Sequence, residues 1–220
     1  MKQIAIDGPA GAGKSTIAKE VSKILGFVYI DTGAMYRTMG LACLKAGIDL
    51  ADEDKVSDIC DRADIDVRYI EGVQHMFLEG EDVSTDIRKN EVSMAASNVS
   101  KYQRVRTRLV KLQQELAERY NVVMDGRDIA SKVLPNADLK IYLTASVECR
   151  ALRRYKELIE KGEECELAAI EKEIAERDHN DMTRANSPLV KVDEAIEVDT
   201  SDMTIAEVVD RILELFGELE

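Results

Sequence analysis

Long apolar runs are missing from this chain, and so is any excess of positive charge. No stretch of its 220 residues approaches the length of a membrane span, and the N-terminus carries no signal-peptide core. The expectation is a cytoplasmic protein with no membrane partner. The formal net charge is −13. That sign argues against a nucleic-acid partner, whose phosphate backbone demands a basic surface. It leaves room for a small phosphorylated ligand, which needs only a local positive site. Four cysteines, Cys43, Cys60, Cys149 and Cys165, are scattered without a C-x-x-C pair. Neither a zinc site nor a disulfide framework is expected. Histidine is scarce, and His75 and His179 both read as surface residues. Repeats and low-complexity tracts are absent.

What is present is the composition of a globular protein, 45% hydrophobic and 33% charged. The length suits one sizeable α/β domain better than two independent cores. Short apolar runs at Gln3–Asp7, Phe27–Ile30, Asn121–Asp125, Leu139–Thr144 and Ala195–Asp199 read as five buried strands of a parallel sheet. Helical patterns separate them, as in Ile17-Val21-Ile24-Leu25 and Val105-Leu109-Leu112-Leu116. The last helix carries Ile205-Val208-Val209-Ile212-Phe216, with Thr204 and Glu207 placed for a capping box. This is a doubly wound α/β plan. Residues 65–87 break the alternation and predict a small antiparallel insertion: two strands about a turn near Glu71-Gly72, then a short third.

Gly8-Pro9-Ala10-Gly11-Ala12-Gly13-Lys14-Ser15, followed by Thr16, fits G-x-x-x-x-G-K-[ST] directly after a strand and at the start of a helix. Glycines let the backbone N–H groups curl around phosphate oxygens, and the helix dipole adds positive charge at the same spot. The expectation is a nucleoside triphosphate. Lys14 would reach its β- and γ-phosphates, and Ser15 would ligand Mg²⁺. Asp125, closing the run Val122-Val123-Met124, is either a second aid to Mg²⁺, directly or through water, or simply a polar strand end.

The triphosphate could serve an NTP-hydrolysing switch or motor, or a kinase acting on a small acceptor. A guanine-reading N/T-K-x-D motif is not found. A small-molecule kinase needs a second anion site and a mobile, arginine-rich cover. The 15 arginines include three tight groups that fit: Arg104-Arg106-Arg108, Arg150-Arg153-Arg154 and Arg177-Arg184.

Four blocks, "IDGPAGAGKST" at the N-terminus, "DTGAMYR" at 31–37, "DGRD" at 125–128 and "ERDHNDMTR" at 176–184, resemble the bacterial cytidylate kinases. The resemblance runs from residue 3 to the C-terminal helix, and the family's antiparallel insertion matches 65–87. It implies a P-loop kinase that passes a phosphoryl group from ATP to CMP or dCMP with Mg²⁺, working as a monomer. It assigns Thr32, Arg106 and Asp128 to cytosine, and Ser97, Arg177 and Asp181 to ribose. Arg37, Arg127 and Arg184 go to phosphate, with Lys14, Arg127 and Arg184 in the catalytic set. It further implies a core (about 1–31, 120–148 and 186–220), a monophosphate-binding region (about 32–119) and a lid (about 149–185). The lid would hinge around 160–164 and close one of Arg150, Arg153 and Arg154 over the transferring group, which of them being open. On residue pattern alone, Arg177, Asp181 and Arg184 share one helix face if the helix persists that far.

Overall fold

The computed structural model describes residues 1–160 and 162–219. The central sheet has the strand order β2-β6-β1-β7-β8, with β1 (Gln3–Asp7), β2 (Val28–Asp31), β6 (Val122–Gly126), β7 (Leu139–Thr144) and β8 (Ile196–Asp199). Pairing is parallel at β1–β6, β1–β7 and β7–β8. The five predicted strands are therefore present, each displaced by no more than one residue. Phe27 stays outside because its N–H closes the end of α1 (Lys14–Leu25) onto the Ser22 carbonyl, and Gly26 takes the left-handed cap.

The chain divides into two compact units. One comprises Met1 and 28–121, the other 2–27 with the segment from Val122 onward. In the second unit, β1, β6 and β7 bury Ile4, Ile6, Met124, Ile141 and Leu143 completely or nearly so. Helix α1, with Ile17 and Val21 buried one turn apart, packs on this layer, and α8 (Ile205–Gly217), with Val208, Ile212 and Phe216 buried, packs on α1. Each such side chain stabilises by about 1.5–3 kcal/mol relative to exposure. The Thr204–Glu207 capping box forms as predicted. Helices α6 (Val147–Glu160) and α7 (Leu167–Thr183) pair through a separate small cluster of Ala151, Ile170 and Ile174. Of the proposed hinge at 160–164, Lys161 lies outside the described residues.

The first unit packs α2 (Thr32–Lys45) on α4 (Asn90–Val99), with α3 (Glu53–Arg62) against α5 (Gln103–Arg119). It also carries the predicted insertion as a three-stranded antiparallel sheet, β3 (Ile65–Ile70), β4 (Val73–Leu78) and β5 (Glu81–Asp82). Its turn puts Glu71 and Gly72 at positive φ.

Candidate active site

The phosphate loop leaves β1 and ends in α1, as its motif requires. Gly8 has φ +151°, and a Cβ there would stand 1.9 Å from the Leu143 carbonyl oxygen. Only glycine lets the loop start so close to β7. Lys14 is buried, and its Nζ donates to the Pro9 carbonyl at 2.7 Å. Burial, and next the Arg127 guanidinium, push its pKa well below the usual ammonium range. The carboxylates of Asp125, Asp7 and Asp181 work the other way. The Ser15 hydroxyl donates to Asp125 Oδ2 at 2.8 Å, and Asp125 is buried at the end of β6.

Those two hard oxygens meet at the loop, and they fit Mg²⁺. That ion commonly takes one or two protein oxygens and completes its shell with water and substrate phosphates. Among the described residues no cluster of three or more His, Cys, Asp or Glu is arranged to cage a metal by itself.

Arg127 follows β6 and points at α7. Its Nε donates to Asp181 Oδ2 at 2.7 Å and its Nη1 to the Gly126 carbonyl at 3.3 Å. Arg184 Nη1 stands 3.8 Å from Asp181 Oδ1. Burial alone would raise the Asp181 pKa. Arg127 above all, then Arg184 and Arg177, hold the carboxyl below its usual range. Helix α7 ends at Thr183, so Arg184 lies one residue past the shared helix face. Its Nε turns back to the Ser187 carbonyl at 2.7 Å. Arg177 is on α7 and exposed.

Asp128 is buried and opens the short π-helical turn Ile129–Val133. Asp7, a residue the sequence reading left without a role, anchors that turn. Its two carboxylate oxygens accept from the Ile129 N–H at 2.8 Å and the Ala130 N–H at 2.7 Å. Burial raises Asp7 to about 6, against those two donors, and the Asp128 charge adds to the rise.

The first unit gathers its own residues. Asp31 caps α2 by accepting from the Ala34 N–H, and its Oδ2 also accepts from Arg37 at 2.9 Å and Arg88 at 3.1 Å. Arg37 Nε is buried and makes no hydrogen bond among the described residues, an orphan donor of the kind an anion satisfies. Gly33 leaves room for this cluster, since a Cβ would come within 3.1 Å of Arg37 Nη1. Arg88 belongs to no motif, and no sequence signal marked it. Thr32 is buried at the first position of α2, and Ser97 is exposed on α4.

The group Arg104-Arg106-Arg108 divides. Arg104 pairs with Asp61, and Arg108 donates to the Ala63 carbonyl. Arg106 is only 2% exposed, donates to the Ser100 carbonyl at 3.1 Å and lies 5.4 Å from the Tyr36 ring centre. A solvated charge on an amphipathic helix does not describe it. The group Arg150-Arg153-Arg154 divides as well. Arg150 is buried, Arg153 donates to Thr200 Oγ1 and carbonyl, and Arg154 pairs with Glu157 at the surface. Of the two histidines, His179 is exposed, whereas His75 is half-buried beside Asp82 at 2.7 Å.

The cytidylate kinase family profile matches residues 4–218. A cytidylate kinase of Caldicellulosiruptor bescii is 53% identical over 97% of this chain and 94% of its own length. That of Bacillus subtilis (strain 168) is 49% identical over 96% and 94%. Among solved structures, a gluconokinase from Sinorhizobium meliloti 1021 superposes with a TM-score of 0.51 at 17% identity, covering 99% of this chain and 93% of that one. A shikimate kinase from Acinetobacter baumannii, in complex with shikimate, gives 0.50 at 19% over 99% and 94%. At such identities the structures establish the fold alone. No described helix is long and apolar enough to cross a membrane.

Proposed function

Because this chain belongs to the cytidylate kinase family, we propose that it transfers the γ-phosphoryl group of ATP directly, in line, to the monophosphate of CMP or dCMP. One observation carries the reading: Lys14 of the phosphate loop is buried within electrostatic reach of Arg127, with Asp125 held on the Ser15 hydroxyl. Cationic side chains at a glycine-rich loop that opens a helix suit charge developing on a transferring phosphoryl group. The loop residues Gly8 to Thr16 take the triphosphate. Mg²⁺, held by Ser15 and by Asp125 directly or through water, supplies further charge neutralisation when bound.

The reading gives the acceptor phosphate to Arg37, Arg127 and Arg184, its ribose to Ser97, Arg177 and Asp181, and its base to Thr32, Arg106 and Asp128. The attacking phosphate oxygen is already ionised near neutral pH, because its second pKa is about 6. No general base is needed. Catalysis is then alignment of the two nucleotides and neutralisation by Lys14, Arg127 and Arg184. The same reading makes the protein a cytoplasmic monomer that handles small nucleotides, with a core, an acceptor region at about 32–119 and a lid at about 149–185.

A coupled assay of ADP release over a panel of monophosphates tests it. CMP and dCMP should give the highest kcat/KM, above UMP and AMP. Preference for AMP would overturn the acceptor assignment, and ATP hydrolysis indifferent to every monophosphate would place the chain with the switches or motors.

A further inference from the structure

The resemblance implies that one of the three arginines on α6 closes over the transferring group, and Arg150 is built for something else. It is 4% exposed, and its Nε and Nη1 donors are committed. Nε donates to the Ala145 carbonyl at 2.9 Å, which ties the side chain to the end of β7. Nη1 donates to the Ala10 carbonyl at 2.9 Å and to Asp178 Oδ2 at 2.6 Å. Asp178, 7% exposed on α7, accepts in turn from the Ala10 N–H through Oδ1 at 3.3 Å. Both backbone groups of Ala10 are thereby held, the carbonyl by a cation and the N–H by an anion. The neighbouring Gly11 has φ +75°, and a Cβ there would lie 3.4 Å from Arg150 Cβ. The guanidinium stem therefore packs against the loop where the loop has no side chain of its own.

We propose that Arg150 and Asp178 are positioning residues that hold the phosphate loop in its anion-binding curl and tie it to α7. The inference rests on the kinase reading only in what the loop is for. A phosphate loop binds through backbone N–H groups, and these are useful only if the glycine-rich backbone is prevented from sampling its many other conformations. Buried, charge-assisted hydrogen bonds to both groups of one loop residue do that. The helix that supplies Asp178 also carries Arg177 and Asp181, the residues given to the acceptor ribose. The loop is thus fastened to that helix by an ion pair whose removal from either end leaves a buried charge, while Arg177 and Asp181 lie outside the pair.

Two alternatives compete with this assignment. Arg150 as a mobile phosphoryl-contacting residue would have to give up three acceptors at once. Asp178 and Arg150 as mere packing would stabilise α6 against α7 without a preference for one nucleotide. Binding and kinetics on Asp178→Ala, Arg150→Ala and the double variant separate them. The readouts are the Kd of a non-hydrolysable β,γ-imido ATP, the Kd of CMP alone, the two KM values and the thermal midpoint. Each single variant should raise the ATP-analogue Kd and the KM for ATP about tenfold. CMP binding alone should stay within about twofold of wild type, because Arg177 and Asp181 keep their own contacts with the acceptor. The double variant should be no worse than the poorer single one, since either change opens the same clamp.

Equal losses for both nucleotides would mean only that α7 has come loose, and additive losses or an unchanged ATP-analogue Kd would also overturn the proposal. Should Arg150→Ala fail to fold, Asp178→Asn keeps the volume and one acceptor oxygen, and a rise of about threefold is expected, with no rise counting against the clamp. Wild type that ignores CMP while the variants still lose ATP-analogue affinity would overturn the acceptor reading and leave the clamp standing. Wild type active on CMP with variants of undiminished affinity for the analogue would do the reverse.

Discussion

Asp128 is 4% exposed, and a carboxylate so far out of water must be matched by whatever faces it. Cytosine offers an exocyclic N4 amine where uracil offers a keto oxygen, so in the proposed base-reading role the carboxylate would accept from one and oppose the other. A matched contact of this kind discriminates by about 1–3 kcal/mol. Asp128→Ala should lower kcat/KM strongly for CMP and weakly for UMP, narrowing their ratio about tenfold or more. If Arg127 holds the acceptor phosphate as proposed, a group both substrates share, Arg127→Ala should lower the two alike. It will also release Asp181, whose Oδ2 takes the Arg127 Nε at 2.7 Å. Steady-state kinetics of both variants on CMP and UMP decide the matter. A ratio unchanged in Asp128→Ala means that this carboxylate does not read the base. The type and place of Asp128 were legible in its motif. Its support was not: Asp7 reaches the Ile129 and Ala130 N–H groups across more than a hundred residues of sequence, and no local pattern encodes such a pairing.

At the scale of the element, α2 shows one carboxylate serving two purposes. Asp31 caps the helix through the Ala34 N–H and holds the Arg37 and Arg88 guanidiniums on its second oxygen. Burial would raise its pKa, but Arg37 first and then Arg88 carry it below the usual carboxylate value of 3.8. A depressed pKa in the fold means stability that is present above the unfolded value and lost as pH falls through the folded one. Losing the cap costs about 1 kcal/mol, and leaving Arg37 without its partner adds to that. Asp31→Ala should therefore destabilise by about 3 kcal/mol at pH 7 in urea unfolding. The gap to wild type should shrink as pH drops below about 4. A gap that stays constant down to pH 2 would show that the Asp31 charge is not what stabilises α2. Helix starts of this kind could be read from sequence, as the Thr204–Glu207 box was. The end of α7 could not, because nothing in "NDMTRAN" breaks a helix, and the chain turns there to put Arg184 on the Ser187 carbonyl.

For the molecule as a whole, the five strands and the phosphate loop were legible because a parallel sheet buries short continuous apolar runs and the loop is one contiguous motif. Arginine clusters were legible only as clusters; which members are buried, paired or solvated depends on partners such as Asp61, Asp178 and Thr200 that lie tens of residues away. The same contrast sets local stability. The strands of the main sheet are anchored by fully buried Ile4, Ile6, Ile141 and Leu143, whereas α6 and α7 pair over a small cluster whose Ile170 and Ile174 are 6% and 8% exposed. Regions with few buried apolar contacts open at lower free energy than the core, and elements that move during turnover are drawn from them. A two-substrate kinase gains by excluding water only when donor and acceptor are both bound, since a half-filled site would otherwise pass phosphoryl groups to water. Amide hydrogen exchange in α6 and α7 should therefore slow more with β,γ-imido ATP and CMP together than with either nucleotide alone. Exchange in β1 and β7 should stay slow under every condition, giving an internal reference for each sample. Full protection of both helices in the nucleotide-free enzyme would mean that they form a fixed wall, and would count against the proposed lid at about 149–185.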